Sequence, residues 1–499
     1  MNSPDHVRTI PLSELLRGVV DIDPEQDCAI TGITGITDDS RLLRPGDLFI
    51  ARSGSQDDGG RYTGMALANG AAALLVEKAT AIPASCTVPA LVVSDLRSHL
   101  SVIAGRFYGD PAAQLQLIGI TGTNGKTSTC TLVAQLLPQA AVIGTRGYGR
   151  LGTMKPVWQT TPGAVRLAAI MRELVDQGVE TVAMEVSSHA LDQQRVDGLK
   201  FGTVVYTGLA QDHLDYHGDM ESYAAAKRKL FSGKELKSAL INISDDLGVS
   251  IANDLRGRCT LLTYGAAEAD LNVRVVSTDI GGMQIELILQ GDRFLLETPL
   301  IGEFNALNLL AVAGILLLLG LAPDEVVHRL AQASPVPGRM ERIIEPKSGE
   351  SGPTVVVDYA HNPDGLRSAL KAMRGATQVD GGRLWCLFGC GGERDQDKRA
   401  EMGEIASDLA DVVVLTDDNP RHESPLAIVD QVVDGCAEAK ELHRIHDRRQ
   451  AITFVLQQAT NEDLVLIAGK GDEPDQLYAG GRWRFDDRRI ARMAMGRRR

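Results

Sequence analysis

The residues best suited to chemistry lie in the segment 121–127, Thr-Gly-Thr-Asn-Gly-Lys-Thr. The apolar run 115–120 precedes it and an apolar-periodic stretch follows, so we predict a strand, a glycine loop and a helix. In that context backbone N–H groups, the helix N-terminus and the Lys126 ammonium bind polyphosphate, while the Thr127 hydroxyl holds Mg²⁺. Ile120 stands in the place of the first consensus glycine. The pattern predicts binding of ATP or GTP. The residues expected to contact the nucleotide are Gly122, Thr123, Asn124, Gly125, Lys126, Thr127 and Ser128.

Two further polar clusters directly follow predicted strands. One is 185–189, Glu-Val-Ser-Ser-His, and the other is 212–218, Asp-His-Leu-Asp-Tyr-His-Gly. Glu185 is a candidate magnesium ligand because Mg²⁺ prefers hard oxygen donors, and His213 is a less usual candidate because imidazole suits softer metals. The alternative is that these residues only cap the helices after their strands. Lys227 lies in a helical stretch further on, where residue chemistry alone does not distinguish it from a surface lysine.

The composition indicates a soluble α/β protein. The 499 residues suffice for about three domains of roughly 150 residues each. A content of 44% hydrophobic and 4% aromatic residues, with 51 glycines, is typical of this class. The net charge of −14 argues against a general nucleic-acid or membrane surface. The apolar stretch 309–322 is too short to span a bilayer and predicts a buried helix.

The N-terminal residues and the cysteines indicate the compartment. The first residues lack the basic and apolar pattern of a signal peptide, and seven cysteines without a Cys-x-x-Cys pair indicate reduced thiols. Cys386 and Cys390 end an apolar strand and enter a glycine turn, which favours core packing over metal binding. We expect a cytoplasmic monomer with no nucleic-acid partner and no membrane span.

Three blocks of different pattern position these residues, namely 1–110, 111–337 and 338–499. The first has short strands and glycine-rich turns. The second alternates helices with continuous apolar strands, typical of a parallel sheet covered on both faces, and its stretch 272–296 predicts an added β-hairpin. The third begins after the turn 335–338 and is a further open α/β unit. Ligands of such sheets bind at the carboxyl ends of the strands, where the polar motifs fall.

Together these motifs resemble those of the Mur ligase family of cell-wall synthesis. The resemblance covers nearly the whole chain and rests on 121–127, 185–189, 212–218, Asp358-Tyr-Ala-His-Asn-Pro363 and Gly389-Cys-Gly-Gly392. It implies a small N-terminal α/β domain for a UDP sugar, a central P-loop ATPase-like domain and a C-terminal Rossmann-like domain. In this family ATP converts a substrate carboxylate into an acyl phosphate, and an amine then displaces phosphate to form an amide.

The chain is most similar to the family member that adds the third peptide residue. The resemblance therefore implies a ligase that uses ATP to join meso-2,6-diaminopimelate to the D-glutamate γ-carboxylate of UDP-N-acetylmuramoyl-L-alanyl-D-glutamate. Lys126 and two Mg²⁺ ions would neutralise charge on the transferring phosphoryl group. The implied magnesium ligands are Thr127, Glu185, His213 and Lys227. Lys227 qualifies because CO₂ carbamylates the family's lysine at this place, which turns a cation into an oxygen ligand.

The resemblance also assigns the sugar-nucleotide and dipeptide contacts. The residues are Asp38, Ser40, Ser55, Gln56, Asp57, Thr160, Thr161, Ser187, Gln193 and Arg195. The chemistry of Arg195 supports its assignment without the resemblance, since an acidic substrate needs fixed cations. From the pattern alone, the stretch around Ser40 is an ordinary turn. The further nucleotide contacts implied are Asn305, Asn308, Asp358, His361 and Asn362. For the two asparagines a helix-start cap is the alternative.

The amine is predicted from Asp418-Asn-Pro-Arg421, a signature that the family uses where diaminopimelate is the nucleophile. Diaminopimelate differs from lysine by one extra carboxylate, and an arginine fork binds a carboxylate bidentately. Lysine would leave Arg421 unpaired, which discriminates against it. The alternative is a surface arginine after a proline turn. The implied amino-acid contacts are Arg394, Asp418, Asn419, Pro420, Arg421, Gly469 and Glu473.

Two departures from the family pattern bear on substrate preference and metal affinity. Asp472 stands where the family usually has histidine, and Gly208 stands where it usually has asparagine. Two other functions stay open, which are a related ligase that uses L-lysine or another amine and a catalytically inactive nucleotide-binding scaffold. A switch GTPase is disfavoured because no Asn-Lys-x-Asp sequence is visible.

Overall fold

The computed structural model shows mixed α/β structure in two compact units. The described residues are 9–23, 27–53, 58–233, 236–344, 352–375 and 382–496. The first unit takes its described residues from 9–118, 139–202 and 233. The second unit takes its described residues from 119–138, 203–232 and 236–496.

The first unit opens with a parallel sheet of short strands. A small antiparallel pair is formed by β1 (Ile10–Pro11) and β2 (Gly32–Ile33). The parallel strands, in sheet order, are β3 (Gly35–Thr37), β4 (Asp47–Ala51), β5 (Ala73–Val76) and β6 (Ala90–Val92). Strand β4 is buried on both faces, because Leu48 and Ile50 belong to one apolar cluster while Phe49 and Ala51 belong to another. Such double burial matches its continuous apolar sequence.

The rest of the first unit places Glu185 at the carboxyl edge of a sheet. Its strands are the start of β7 (Gln116–Thr121), then β8 (Ala140–Gly144), β9 (Gly147–Gly149) and β10 (Thr181–Glu185). Strand β10 is parallel to β8 with Met184 opposite Ile143, so Glu185 and Gly144 end neighbouring strands. The helices of this unit are Leu12–Leu15, Thr63–Ala68, Leu96–Phe107, Ala164–Asp176 and Ser188–Asp192.

The second unit begins with a parallel sheet that continues into an antiparallel one. After β7 ends, the strands are β11 (Thr203–Tyr206), β12 (Ser238–Asn242), β13 (Thr260–Tyr264), β14 (Leu271–Asp279), β15 (Gly282–Leu289) and β16 (Asp292–Thr298). Strands β11 to β14 are parallel, and β14 to β16 are antiparallel. The predicted hairpin is therefore present as β14 and β15, with a bulge between Val275 and Ser277, and β16 adds a further strand.

A long apolar helix lies in the core of this part, as its composition predicts. The helix Glu303–Leu318 packs against the helix Lys126–Leu136 and against β12, β13 and β14, and its residues 308–317 are all buried. In the described part of the chain no helix is long and apolar enough to cross a membrane. The other helices are Leu214–His217, Met220–Arg228, Asp246–Leu255 and Pro323–Leu330.

The second unit ends with an open, mostly parallel sheet covered by helices. Its strands are β17 (Glu341–Ile343), β18 (Thr354–Val357), β19 (Leu384–Phe388), β20 (Val412–Leu415), β21 (Leu442–Arg444) and β22 (Leu464–Ile467), in the spatial order β17-β18-β22-β19-β20-β21. A separate hairpin follows in β23 (Asp475–Tyr478) and β24 (Gly481–Arg484). The helices are Pro363–Gly375, Lys398–Leu409, Pro425–Val433, Arg448–Gln458 and Asp487–Met495. The predicted α/β fold class is thus confirmed.

Candidate active site

The phosphate loop, residues 121–127, has the backbone form that its glycines permit. Gly122 has φ of 153° and Gly125 has φ of 85°, a range that side chains with a Cβ rarely adopt. A Cβ on Gly122 would lie 2.0 Å from Thr207 Oγ1, and one on Gly125 would lie 2.8 Å from Asn308 Oδ1. Both glycines therefore admit close neighbours that any other residue would displace.

Side chains of the phosphate loop anchor it to its own carbonyls and to the next strand end. Lys126 Nζ donates to the carbonyls of Gly122 at 2.8 Å and Thr123 at 2.9 Å. The Thr123 hydroxyl donates to the Ala210 carbonyl at 3.1 Å and lies 3.2 Å from the Tyr223 hydroxyl. The loop is thus pre-shaped, and its lysine sits at the helix N-terminus where polyphosphate binds in such loops.

Asp212 is the centre of a polar cluster beside this loop. One Asp212 oxygen lies 3.5 Å from His361 Nε2 and accepts from Asn362 Nδ2 at 3.4 Å, and the other lies 3.9 Å from Lys398 Nζ. Burial raises the pKa of Asp212, but the hydrogen bond and charge of His361, with the charges of His213 and Lys398, hold the pKa well below its usual value. The sequence analysis gave neither Asp212 nor Lys398 a role. Only the position of Asp212 after a predicted strand was a signal.

The end of β18 joins this cluster through its predicted residues. Asp358 is buried and accepts from the backbone N–H groups of Met340 at 2.7 Å and Ala360 at 2.8 Å, while burial raises its pKa. Asn362 donates to Asn124 Oδ1 of the phosphate loop at 3.2 Å. His361, Asn362 and the loop thus converge, whereas Asp358 holds the backbone in place.

The two predicted asparagines lie inside the long apolar helix. Asn305 donates to the Ile301 carbonyl at 2.8 Å, and Asn308 donates to Asn305 Oδ1 at 3.0 Å. The helix begins at Glu303, and its N-cap residue is Gly302, which has no side chain to cap the helix. The cap alternative is therefore wrong for both residues, and Asn308 instead faces Gly125 of the phosphate loop.

Lys227 is fully buried beside the phosphate loop, which residue chemistry alone did not predict. Its Nζ lies 4.2 Å from the centre of the Tyr223 ring. Burial, and then the positive charge of Lys126, hold the pKa of Lys227 well below its usual value. The neutral amine is the form that adds to CO₂, and the carbamate offers oxygen ligands. These properties fit the implied carbamate.

The residues present also fit magnesium that arrives with ATP. Within the described residues, no group of three His, Cys, Asp or Glu side chains is arranged to hold a metal ion. Mg²⁺ in nucleotide sites takes most of its ligands from phosphate oxygens and water, with few from protein. Thr127 follows Lys126 at the start of the helix, where its hydroxyl suits this role. His213 lies 3.8 Å from Asp212 and has φ of 57°.

In the first unit, Glu185 is a buried carboxylate at the end of β10. Its Oε1 accepts from the Thr145 backbone N–H at 2.9 Å, and its Oε2 accepts from the Thr145 hydroxyl at 3.2 Å. A Cβ on Gly144 would lie 2.2 Å from Glu185 Oε1, so the glycine leaves room for the carboxylate. Glu185 is fixed by these contacts and does not cap the following helix, which Ser187 caps instead.

The predicted dipeptide contacts of the first unit gather around Thr161. The Thr161 hydroxyl donates to the Glu185 carbonyl at 2.8 Å and accepts from the Ser187 N–H at 3.0 Å. Arg195 donates to the Thr161 carbonyl at 2.7 Å and through two nitrogens to Gln193 Oε1 at 2.6 and 3.1 Å. Thr160 lies 3.1 Å from Thr145. These side chains form one connected group.

The predicted sugar-nucleotide residues near the N-terminus are only partly described. Ser40 is buried, with its hydroxyl 3.5 Å from Met65 Sδ, and Asp38 pairs with Arg52 at 3.1 Å. Ser55, Gln56 and Asp57 lie outside the described residues.

Two loops of the second unit, 418–421 and 469–473, are called the amino-acid loops below. Arg421 of the first loop is half-buried, has φ of 57° and donates to the Gly392 carbonyl at 2.6 Å. Burial, and then the positive charge of Arg394, lower the pKa of Arg421. A Cβ on Gly391 would contact both arginines. The exposed Arg394 and the half-buried Arg421 therefore lie near each other, and two neighbouring guanidinium groups favour a bound anion.

The second amino-acid loop is tied to the first by Glu473. Glu473 Oε2 accepts from Asn419 Nδ2 at 3.0 Å and from Lys470 Nζ at 2.8 Å. Gly469 has φ of 108°, and a Cβ there would lie 3.7 Å from Asp418 Oδ2. Lys470, which the sequence analysis did not select, is thus part of this cluster.

The two departures from the family pattern, Asp472 and Gly208, have different neighbours. Asp472 lies 3.4 Å from Arg339, whose guanidinium lies 4.1 Å from the centre of the Tyr359 ring. Arg339 is a further residue that the sequence analysis missed. Gly208 has φ of 126°, where asparagine would be strained, and its neighbours are Asp245 and Asn242.

Three family models match successive parts of the chain. They are the catalytic domain of the Mur ligase family at residues 32–108, the Mur ligase middle domain at 120–316 and the glutamate ligase domain of Mur ligases at 338–471. The chain belongs to the Mur ligase family.

Relatives of known identity share nearly its full length. A UDP-N-acetylmuramoyl-L-alanyl-D-glutamate–2,6-diaminopimelate ligase of Xylella fastidiosa strain 9a5c is 42% identical over 498 residues, 98% of each chain. The ligase of that name from Pseudomonas syringae pv. tomato is 44% identical over 93% of this chain and 95% of its own. A solved structure under the same name is 34% identical, covers 98% of this chain and 99% of its own, and has a TM-score of 0.69.

Proposed function

We propose that the chain is an ATP-dependent ligase that joins meso-2,6-diaminopimelate to the D-glutamate γ-carboxylate of UDP-N-acetylmuramoyl-L-alanyl-D-glutamate. The observation that most directly supports this substrate is that the side chains of Arg394 and Arg421 both lie next to Gly391, near the Glu473 cluster. The extra carboxylate at the far end of diaminopimelate would pair with these guanidinium groups. L-Lysine has only an ammonium at that end and would offer the arginines no carboxylate.

In the first step a γ-carboxylate oxygen attacks the γ-phosphorus of ATP. The bond from the γ-phosphorus to the β–γ bridging oxygen breaks, ADP leaves, and an acyl phosphate forms. The phosphate loop would bind the β- and γ-phosphates through its backbone N–H groups and Lys126. Asn308, His361 and Asn362 would complete the nucleotide contacts, with Asp212 fixing the last two.

In the second step the neutral amine nitrogen of diaminopimelate attacks the acyl carbon. The tetrahedral intermediate loses inorganic phosphate and a proton to give the amide. Gly469 and Glu473 would receive the amine and the carboxylate at the reacting end of the amino acid, and Asn419, which donates to Glu473, would also contact the amino acid. Arg394 and Arg421 would bind the carboxylate at its far end.

Magnesium would supply positive charge for the transferring phosphoryl group. We assign its protein ligands to Thr127, Glu185, His213 and a carbamylated Lys227. Burial and the positive charge of Lys126 lower the pKa of Lys227, which favours the neutral amine and supports the carbamate, because a positive ammonium would repel both Lys126 and the metal.

The remaining assignments complete the proposal. Residues 1–110 would bind the UDP sugar, 111–337 ATP and the dipeptide, and 338–499 the amino acid. Asp38, Ser40, Ser55, Gln56, Asp57, Thr160, Thr161, Ser187, Gln193 and Arg195 would contact the sugar nucleotide and its dipeptide. We place the protein in the cytoplasm as a monomer.

The test is phosphate release by the purified chain with ATP and Mg²⁺. The proposal expects release only when the UDP-linked dipeptide and diaminopimelate are both present. Release without the dipeptide would contradict it, and no release with all substrates would favour an inactive scaffold. A lysine-using ligase would release phosphate with L-lysine at equal or greater efficiency.

A further inference from the structure

Lys470 is a charged side chain with no exposure to solvent. Its ammonium must therefore be stabilised by contacts within the protein. Its Nζ donates to Glu473 Oε2 at 2.8 Å and Asn419 Oδ1 at 3.0 Å, and it lies 3.5 Å from Asp418 Oδ1. An ammonium has three donors, and here it has three acceptors. Two of these acceptors belong to one amino-acid loop and the third to the other.

The acceptors of Lys470 are held from other sides as well. Asn419 Oδ1 also accepts from the Leu477 N–H at 3.0 Å, and Asn419 Nδ2 donates to Glu473 Oε2 at 3.0 Å. Glu473 Oε1 accepts from the Tyr359 hydroxyl at 3.3 Å. Without Lys470, the buried carboxylate of Asp418 and the partly exposed carboxylate of Glu473 would lose the cation that they share.

The formal charges show what this cluster leaves for a ligand. Asp418 and Glu473 contribute two negative charges and Lys470 contributes one positive charge, which leaves one net negative charge. That charge can pair with the ammonium of an incoming amino acid before the amine loses its proton. With two negative charges and no lysine, the carboxylates would repel each other and lose their orientation.

We propose that Lys470 is a positioning residue of the amino-acid site, where its buried ammonium joins the two loops and fixes Asn419 and Glu473 for the incoming amino acid. This inference rests on the proposed function, because that function assigns Asn419 and Glu473 to diaminopimelate. Lys470 itself touches no reacting atom.

The test compares Lys470→Met with Lys440→Met in the full-length chain. Lys440 is an exposed lysine that donates to Asp411 at 2.8 Å, so the control removes a paired lysine outside the cluster. Phosphate release is measured while diaminopimelate or ATP is varied separately. Loss of a hydrogen-bonded buried charge is expected to raise the KM for diaminopimelate by about tenfold or more. The KM for ATP should stay within about twofold, and Lys440→Met should match the wild type in both.

A purely structural role predicts a different pattern. It would lower the thermal midpoint and the amount of active enzyme, but it would leave the KM for diaminopimelate unchanged, and that result would overturn the proposal. If Lys470→Met does not fold, Lys470→Arg decides, because the larger guanidinium displaces at least one of the enclosed acceptors and should also raise this KM. An unchanged KM in Lys470→Arg would overturn the proposal. Wild-type activity with another amine alone would contradict the proposed function, and the KM for that amine would still test Lys470.

Discussion

The phosphate loop and the amino-acid loops both follow parallel strands, yet they form their sites in opposite ways. The phosphate loop relies on backbone shape, since Gly122 and Gly125 have positive φ and admit no Cβ. The amino-acid loops rely on charged side chains, of which the buried Lys470 and the partly exposed Glu473 hold each other. A backbone site recognises phosphate in general, whereas a side-chain site recognises one distribution of charge. Substitutions in the two regions should therefore affect different kinetic constants.

The largest effect is expected in the phosphate loop. Lys126→Met should lower kcat by about a thousandfold, because it removes a cation from the charge that develops on the transferring phosphoryl group. The KM for diaminopimelate should change little. Steady-state phosphate release, with diaminopimelate varied at saturating ATP and UDP-linked dipeptide, measures both constants. A kcat within about tenfold of the wild type would contradict the assigned role of Lys126.

The second-largest effect is expected on the KM for the amino acid alone. Arg421→Lys should raise the KM for diaminopimelate by about a hundredfold, because lysine cannot bind a carboxylate bidentately. The KM for ATP should stay constant, since Arg421 lies in an amino-acid loop. Arg374→Lys is the matched control, because Arg374 pairs with Asp411 at 2.8 Å away from these loops. Equal changes in both variants would refute the specific role of Arg421.

Lys227 tests whether the region of the phosphate loop also depends on a modified side chain. Removing CO₂ and bicarbonate from the assay should lower wild-type activity, and added bicarbonate should restore it. Lys227→Met should raise the Mg²⁺ concentration needed for half-maximal rate by about tenfold and abolish the response to bicarbonate. An identical response to bicarbonate in wild type and Lys227→Met would exclude the carbamate.

The smallest effect is expected from a substitution of Asp472, one of the two departures from the family pattern. Asp472→Asn weakens an ion pair with Arg339. The side chain of Asp472 is 14% exposed and that of Arg339 is 10% exposed. Because Arg339 lies over Tyr359, which donates to Glu473, the KM for diaminopimelate should rise by about threefold. Asp411→Asn is the control, since it weakens pairs with Arg374 and Lys440 and should leave this KM unchanged. A larger change of this KM in the control would contradict a specific role of Asp472 at the amino-acid site.

The sequence predicted those parts of the fold that depend on local pattern. The buried strands β18, β19, β20 and β22 end within one residue of their apolar runs, and the hairpin appears around Gly281 and Gly282. The strand β16 was only partly anticipated, because the predicted hairpin ended inside it.

The contacts that depend on distant residues could not be predicted in the same way. Asp212 and Lys398 lie far apart in the chain and meet only after folding. Burial of Lys227 follows from the packing around Tyr223, whereas its sequence is that of an exposed amphipathic helix. Lys470 belongs to a glycine-rich loop whose pattern gives no sign of burial.

The most direct test of the central claim is the ratio of kcat/KM for meso-diaminopimelate to that for L-lysine, measured with the UDP-linked dipeptide and ATP. Arg394 and Arg421 predict a ratio on the order of a thousand or more, because L-lysine offers no carboxylate to the half-buried Arg421 or to Arg394. In Arg421→Ala that ratio should fall toward one. A wild-type ratio near one would contradict the account.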